Sequence, residues 1–383
     1  MQENKTFCIA PWVQLVLRTN KHLGPCCQFQ SPYKLTDMSI EEYYNSDWNN
    51  EIKEKMLLGQ KVDGCQTCYH QESQNYPSMR LDLNRDYKIV KPELAEKILG
   101  HFNYDKLTYP NRLELHISNI CNLKCLTCNP ADSSTYLTEA VKLKRLPVSN
   151  RDYQLTEQQL NSLLDDIKQK NIDILDLRGG ESMMIPTVKN VLLEHDCKNI
   201  KELRIQTNGT IMDDDWEKIF KKFPKVEIHP SIDAFDNDNH YIRYPANWSE
   251  IKNTINKLKA IPNVNLCLNT TVSNLNFLVL PRLFNWCLEN NIQIHLSQVI
   301  FPEIFRYTNL PNELLVNGAE QISKYIDIFK EDHIKKQLNG LISNTTNSNN
   351  TDWNKFCKEI DLLDKHRKNS IFDILPELRD YWV

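Results

Sequence analysis

The chain has 383 residues, which is enough for a full α/β barrel and an accessory module. Its formal net charge of −4 and its pI of about 6.2 do not indicate the basic surface that nucleic-acid binding needs. It has no stretch of about 20 apolar residues and no charged-then-apolar signal pattern at the N-terminus, so we expect no membrane span and a cytoplasmic location. In a reducing compartment the 12 cysteines are expected to bind metal or to be buried as small apolar residues.

The first 100 residues are predicted to form a small cysteine-rich module. Ser39 and Glu42 have the spacing of a capping box at the start of an amphipathic helix. The predicted elements are strands at 13–17 and just before Cys26, and helices at 39–59 and 92–99. The cysteines of the module are Cys8, Cys26, Cys27, Cys65 and Cys68. Four cysteines that end in a C-x2-C pair can hold either an iron–sulfur cluster or zinc.

From residue 112 onwards, short apolar strands alternate with amphipathic helices. The predicted strands are 113–117, 174–177, 202–206, 226–232, 264–272 and 293–299. Six βα repeats predict an α/β fold, with a parallel sheet curled into a partial, TIM-like (βα)6 barrel. In barrels of this kind the chemistry lies at the C-terminal ends of the strands.

Residues 304–383 are predicted to form a helical C-terminal extension. Amphipathic helices are expected at 313–329 and 353–364. Residues 343–352 are polar and low in complexity, so we expect them to be mobile. The sequence therefore predicts three domains, namely the module at 1–100, the barrel at 101–303 and the extension at 304–383.

Three cysteines lie close together on the loop after the first predicted barrel strand. Cys121, Cys125 and Cys128 form a C-x3-C-x2-C pattern. Three thiolates at this spacing can hold three irons of a [4Fe–4S] cluster and leave the fourth iron without a protein ligand. Zinc prefers four ligands in two separated pairs, so it fits the pattern poorly.

Glycines and polar residues follow the next predicted strands. The two glycines of Gly179-Gly180-Glu181 let the backbone approach a ligand, and the glutamate can accept a hydrogen bond from an ammonium group. Alternatively, these residues form an ordinary strand-to-helix turn. The later strand ends carry Thr207-Asn208-Gly209, Ser231-Ile232-Asp233 and, further along, Arg243. These side chains can bind a ribose or a carboxylate, or can simply cap helices, and Arg243 can equally be a solvated surface charge.

The cysteine loop and the three following segments, in this order, resemble the radical S-adenosylmethionine (SAM) superfamily over residues 112–300. The resemblance implies that the open iron binds SAM and that SAM cleavage gives a 5′-deoxyadenosyl radical, which abstracts a hydrogen atom from the substrate. It implies cofactor-binding roles for Gly179, Gly180, Glu181, Thr207, Asn208, Ser231, Asp233 and Arg243. Two positions depart from the family: Thr127 replaces an aromatic residue and Ser182 replaces a proline. The adenine contact is therefore expected elsewhere, near residues 299–301.

The N-terminal cysteine pattern resembles the SPASM/twitch accessory module of radical SAM enzymes. In relatives this module usually follows the barrel, and a glycine stands where this chain has Lys21. The resemblance implies a second [4Fe–4S] cluster, with zinc as the alternative. The implied ligands are Cys8, Cys26, Cys65 and Cys68, with Cys27 as the alternative to Cys26.

The resemblance implies an oxidoreductase that modifies a peptide or protein side chain, with the second cluster as electron acceptor and a flavodoxin- or ferredoxin-like electron donor. One alternative is a redox-neutral epimerase, for which Cys357 is the candidate hydrogen donor. Another is a dehydrogenase of a small molecule such as a sugar or aminocyclitol. A non-enzymatic iron–sulfur or zinc protein that binds a partner is the third, but it does not need the glycine and polar segments of a cofactor pocket.

Overall fold

A computed structural model describes residues 4–29, 31–73, 76–89, 91, 94–146, 153, 155–347 and 352–383. The strands are β1 (Gln14–Leu17), β2 (Leu23–Gly24), β3 (Arg112–His116), β4 (Ile172–Arg178), β5 (Ile200–Thr207), β6 (Lys225–Pro230), β7 (Val264–Val272) and β8 (Gln293–Gln298). The α-helices are α1 (Ala10–Val13), α2 (Ile40–Tyr44), α3 (Asp47–Leu57), α4 (Gln66–Ser73), α5 (Met79–Asp86), α6 (Ala95–His101), α7 (Ser134–Lys142), α8 (Glu157–Gln169), α9 (Pro186–Glu194), α10 (Asp214–Phe220), α11 (Asn237–Ile242), α12 (Trp248–Lys259), α13 (Leu280–Glu289), α14 (Asn312–Ser323), α15 (Asp332–Ser343) and α16 (Trp353–Arg367).

The chain forms two compact units. The first unit comprises Met1–Ile120, Ser149–Ile205 and Asp215–Val226, and the second comprises Cys121–Val148, Gln206–Asp214 and Glu227–Val383. These units divide the chain differently from the three domains expected from the sequence, whose boundaries stay a prediction.

In the first unit the strands have the order β2-β1-β3-β4-β5. Strand β1 is parallel to β3, with Leu15 opposite Leu113, and β2 is antiparallel to β1. Strand β1 is buried along its whole length, and its pairing satisfies the backbone groups that β3 would otherwise expose at an edge. The N-terminal segment therefore extends the sheet that was predicted only for the residues after 112.

Strands β3 and β4 place charged residues on one face of the sheet. Because side chains alternate along a strand, the leucines of β3 and β4 share one face, and Arg112, Glu114, Asp176 and Arg178 share the other. On the charged face, Asp176 pairs with Arg112 at 3.2 Å and with Arg178 at 3.0 Å, and Glu114 pairs with His116 at 3.0 Å. Burial alone raises the pKa of Asp176, but Arg178 and Arg112 hold it well below its usual range.

In the second unit the strands have the order β6-β7-β8, and β7 is parallel to β8 with Thr270 opposite Leu296. Helices α12 to α16 contribute the apolar core of this unit, which includes Trp353, Phe356 and Ile360 on α16. The mixed α/β fold with a parallel sheet confirms the coarse fold class. The closure of the sheet into a partial (βα)6 barrel stays a prediction.

All six strands predicted after residue 112 are present. Most of their ends lie one or two residues from the predicted positions. The predicted helix at 39–59 is divided into α2 and α3, because Ser46 caps a new helix by accepting a hydrogen bond from the Asn49 N–H. The capping box of Ser39 and Glu42 is confirmed.

In the tail, α14 ends at Ser323 rather than at residue 329, α15 was not predicted, and α16 extends to Arg367. Of the segment expected to be mobile, Asn344–Asn347 form a short 3-10 helix, and residues 348–351 lie outside the described residues. The helix expected at 92–99 is observed as α6, and residues 92 and 93 are likewise not described. Over the described ranges, no helix has the length and apolar character to cross a membrane.

Candidate functional site

The cysteine loop comprises residues 121–128 and lies in the second unit. Two of its backbone N–H groups, those of Lys124 and Leu126, donate to the carbonyl oxygens of Tyr244 and Ile242 at 2.6 and 2.9 Å. These bonds fix the backbone around Cys125. The loop is therefore held in place by contacts with the last residue of α11 and with Tyr244 just after it.

The thiols of the cysteine loop are buried or half-buried. Burial raises the pKa of Cys125 to about 11 and the pKa of Cys128 well above its usual value, and the neighbouring thiols add to the shift. Such thiols stay protonated at neutral pH unless a cation stabilises the thiolate. A cationic metal cluster supplies that stabilisation, so the residues of the loop fit an iron–sulfur group.

Arg243 contacts the cysteine loop directly. Its Nη1 donates to the Sγ of Cys125 at 3.8 Å, and its Nε forms an ion pair with Asp233 at 2.7 Å. The arginine side chain is only 12% exposed, so the alternative of a solvated surface charge is wrong. Burial alone lowers the pKa of Arg243, but Asp233 and Cys125 raise it above its usual value. The structure thus places a permanent positive charge against a cysteine of the loop.

The polar strand ends of the second unit also contact the cysteine loop. Asn208 donates from Nδ2 to Oδ1 of Asn122 at 2.7 Å, and the same nitrogen lies 4.0 Å from the Sγ of Cys121. Thr207 accepts a hydrogen bond from the Gly209 N–H at 3.1 Å. Thr207 and Asn208 therefore have a structural role in addition to any role in cofactor binding.

Ser231 and Asp233 are also held by neighbouring strands. The Oγ of Ser231 accepts a hydrogen bond from Gln206 at 3.2 Å, and the Oδ1 of Asp233 accepts one from the Thr271 N–H at 2.8 Å. Both side chains are buried. Asp233 is therefore fixed in the position from which it pairs with Arg243.

Gly179-Gly180-Glu181 packs against the chain just before the cysteine loop, within the first unit. The N–H groups of Gly180 and Glu181 donate to the carbonyl oxygens of Ser118 and Ile120 at 2.9 and 2.7 Å. A Cβ on Gly180 would lie 2.2 Å from the carbonyl oxygen of Ile120, and Gly179 has a φ of +122°. Both glycines are therefore required by a close backbone contact that their sequence pattern alone does not reveal.

Glu181 is completely buried. Its Oε1 accepts a hydrogen bond from the Met183 N–H at 3.1 Å and so begins the short 3-10 helix Ser182–Met184. The strand-to-helix turn that was the alternative for this segment is thus present in the structure. Cofactor binding by Glu181 stays a proposal.

The end of helix α16 forms a contact with the cysteine loop that sequence reasoning missed. Arg367 donates to the carbonyl oxygen of Lys124 at 2.8 Å and pairs with Glu139 of α7 at 2.6 Å. Both charged side chains are almost fully buried. Arg367 also lies over the ring of Tyr244, 5.1 Å from its centroid. No local spacing signals this contact, because Arg367 and Glu139 are 228 positions apart.

The N-terminal cysteines lie together in the first unit. Cys8, Cys26, Cys65 and Cys68 line one cavity, and Met79 and Arg80 are also part of its lining. Cys27 is not part of that lining, and its Sγ lies 3.6 Å from the Sδ of Met79. Burial raises the pKa of Cys8 and of Cys65 to about 12. Over the described ranges, no three His, Cys, Asp or Glu side chains are spaced to hold a single metal ion.

Residues 115–274 match the family model described as Radical SAM superfamily. The chain contains a radical SAM superfamily domain. This domain includes the cysteine loop, the Gly179–Glu181 segment and the strand ends described above. A superfamily domain of this kind implies a [4Fe–4S] cluster and SAM.

The individual proteins that match this chain share little sequence identity with it. The probable GTP 3′,8-cyclase of Methanocaldococcus jannaschii is 20% identical over 178 residues, which cover 46% of this chain and 54% of that protein. The solved structure of anSMEcpe with bound AdoMet is 17% identical, with a TM-score of 0.41, and the match covers 55% of this chain and 59% of that one. The solved structure of Streptococcus suis SuiB is 16% identical, with a TM-score of 0.42, and the match covers 76% of this chain and 60% of SuiB. The chain thus spans less than two thirds of each relative.

The two departures of the radical SAM domain from its family pattern lie at different depths. Thr127 is half-buried, whereas Ser182 is buried in the short helix that Glu181 caps. At the end of β8, where the adenine contact was expected, Val299 is buried and Phe301 is 74% exposed. The adenine contact near residues 299–301 stays a prediction.

Cys357, the candidate hydrogen donor, lies on α16 and is completely buried in the apolar core of the second unit. Burial raises its pKa. Nothing at this position supports a role in hydrogen transfer, and the role stays a prediction.

Proposed function

We propose that this chain is a radical SAM oxidoreductase whose catalytic [4Fe–4S] cluster is held by Cys121, Cys125 and Cys128. When bound, the cluster and SAM supply a 5′-deoxyadenosyl radical that abstracts a hydrogen atom from the substrate. The observation that carries the proposal is the three-cysteine loop inside a radical SAM domain, with buried thiols and a backbone fixed from several sides.

The proposed cofactor-binding residues differ in how directly they bind. Glu181 is proposed to accept a hydrogen bond from the amino group of SAM, and Gly179 and Gly180 to bring the backbone close to it. Thr207, Asn208 and Ser231 are proposed to contact the ribose or the methionine carboxylate. For Asp233 and Arg243 the contacts favour a positioning role, because the pair presents its guanidinium to Cys125.

We propose a second [4Fe–4S] cluster in a SPASM/twitch-like module, held by Cys8, Cys26, Cys65 and Cys68. The cavity that these four side chains line supports the choice of Cys26 rather than Cys27. In this role the module accepts the electron that remains on the substrate after hydrogen abstraction. Zinc in the same cavity is the alternative, and it would favour redox-neutral chemistry such as epimerisation.

The proposed substrate is a peptide or protein side chain. This choice follows from the resemblance of the N-terminal module to SPASM/twitch modules, whose enzymes act on peptides, protein side chains or aminoglycoside alcohols. A small-molecule dehydrogenase is the second candidate. The catalytic cluster also needs an external one-electron donor, for which a flavodoxin- or ferredoxin-like protein is proposed.

The first prediction tests the catalytic cluster. Anaerobically reconstituted protein should bind about eight irons, and the triple variant Cys121→Ala, Cys125→Ala, Cys128→Ala should bind about four. With dithionite and SAM, the unaltered protein should release 5′-deoxyadenosine and the triple variant should release none, because only this cluster has an open iron. The matched control replaces Cys197, Cys267 and Cys287 with alanine. If the variant of Cys121, Cys125 and Cys128 kept its full iron content and still released 5′-deoxyadenosine, the assignment of these residues as cluster ligands would be wrong.

The second prediction tests the N-terminal module. A Cys65→Ala, Cys68→Ala variant should lose about four irons yet still form 5′-deoxyadenosine, since SAM cleavage needs only the cluster of the loop. Cys26→Ala should lose the same four irons, whereas Cys27→Ala should keep them because its side chain lies outside the four-cysteine cavity. Metal and sulfide analysis after anaerobic expression is the measurement. Zinc without sulfide, or equal losses in the two single variants, would contradict the proposed ligands.

A further inference from the structure

Arg80, in the first turn of helix α5, lines the four-cysteine cavity of the N-terminal module. Its side chain is only 5% exposed. Burial alone lowers the pKa of Arg80, but the ion pair with Glu72 raises that pKa above its usual value. The structure therefore places a permanent and buried positive charge at the wall of the cavity.

Three hydrogen bonds fix the orientation of the Arg80 guanidinium. Its Nε donates to Oε1 of Glu72 at 2.9 Å, and its Nη2 donates to the other oxygen of the same carboxylate. Its Nη1 donates to the carbonyl oxygen of Phe7 at 2.8 Å, directly before Cys8 in the chain. Glu72 lies on α4, four residues after Cys68 and so on the same face of that helix. These contacts hold the guanidinium inside the module, next to two of the cysteines.

The ion pair of Arg80 and Glu72 has its positive member at the cavity. Arg80 is part of the cavity lining and Glu72 is not. Burial is the largest cause of the raised pKa of Cys8 and of Cys65, and the charge of Arg80 acts against that rise at both thiols. At Cys65 the effect of Arg80 exceeds the opposing effect of Glu72, whereas at Cys68 the order is reversed. The positive potential of Arg80 is therefore felt most on the side of the cavity formed by Cys8 and Cys65.

Reduction of an iron–sulfur cluster adds one negative charge, so a buried positive charge beside the cluster stabilises the reduced form and raises the reduction potential. We propose that Arg80 raises the reduction potential of the second cluster and so favours the role of the N-terminal module as an electron acceptor. This inference rests on the proposed function. Zinc, the alternative occupant of the cavity, has no redox chemistry for Arg80 to influence.

The test measures the reduction potential of the second cluster in full-length protein. Cys121, Cys125 and Cys128 are replaced with alanine, so that only the cluster of the N-terminal module is present, and an anaerobic redox titration is followed by electron paramagnetic resonance. Arg80→Met should lower the equilibrium constant for one-electron reduction by roughly tenfold, which is about 59 mV. Glu72→Gln leaves Arg80 without its counter-charge and should raise the potential by a similar amount.

The matched control is Arg85→Met on the same helix. The side chain of Arg85 is 57% exposed and pairs with Asp82 at 2.8 Å, so solvent screens its charge and the potential should not change. The opposite signs expected for Arg80→Met and Glu72→Gln separate an effect of charge from a disturbance of the fold, which has no reason to reverse its sign between them. Should Arg80→Met not fold, Glu72→Gln decides alone, and a potential that is unchanged or lower in that variant would overturn the inference.

The outcomes also separate this inference from the proposed function. If the protein without Cys121, Cys125 and Cys128 contains no reducible cluster, the second cluster of the proposed function is wrong, and the role of Arg80 is wrong with it. If the cluster is present but Arg80→Met and Arg85→Met have the same reduction potential, only the role of Arg80 is wrong.

Discussion

Replacing Gly180 with alanine should destabilise the protein and lower the iron content of the proposed catalytic cluster, although no cysteine is changed. The new methyl group would lie 2.2 Å from the carbonyl oxygen of Ile120, and the obstacle is backbone rather than a flexible side chain. Overpacking of this kind costs about 2–3 kcal/mol. The chain before Cys121 must move to relieve the clash, and we expect this movement to disturb the cysteine loop, which follows it directly in sequence.

The matched control for this prediction is Gly100→Ala. Gly100 lies in helix α6, and a Cβ there meets no atom within 4 Å. Alanine in a helix is favoured over glycine by roughly 0.5–1 kcal/mol, so this variant should be slightly more stable. The measurements are chemical denaturation and the iron and sulfide content after anaerobic reconstitution. A Gly180→Ala protein with full iron content would show that the contact with Ile120 does not position the loop.

The fold was predicted best where local patterns carry the information. The six strands after residue 112 were found because each contains several leucine, isoleucine or valine residues between turn signals. The position of β1 beside β3 was not predictable, since the pairing partner of a short buried strand is not encoded in its own sequence. The break between α2 and α3 was also missed, because Ser46 lies within a continuous helical pattern and only its side-chain cap shows that a new helix begins.

The candidate site likewise contains features that local sequence patterns reveal and contacts that they do not. Cys121, Cys125 and Cys128 are recognisable from their spacing, which is a local property. The pairing of Asp233 with Arg243, and the contact of that arginine with Cys125, depend on how the chain after β6 returns to the cysteine loop. The sequence therefore identified these two residues as cofactor-binding candidates, but it did not reveal their contacts with each other and with the loop.

Replacing Arg367 with methionine should destabilise the second unit by about 3 kcal/mol. The change leaves the carboxylate of Glu139 buried without its main partner, and breaking a buried ion pair in this way costs about 3–5 kcal/mol. We expect the lower end of that range because Lys124 and His366 remain 3.5 and 3.8 Å from the same carboxylate. The variant also loses the hydrogen bond to the carbonyl oxygen of Lys124, so the cysteine loop should become more mobile.

The double variant Arg367→Met, Glu139→Leu separates the two effects of this substitution. Removing both charges leaves no uncompensated ion, and apolar replacements of a buried pair are often neutral, so stability should return to near that of the unaltered protein. The lost hydrogen bond to Lys124 is not restored, and the loop should stay mobile. Chemical denaturation measures the first quantity, and hydrogen exchange of the peptide that spans residues 121–128 measures the second. A double variant as unstable as the single one would show that Arg367 stabilises the fold through the loop and not through Glu139. Exchange as slow as in the unaltered protein would show that α16 does not position the cysteines.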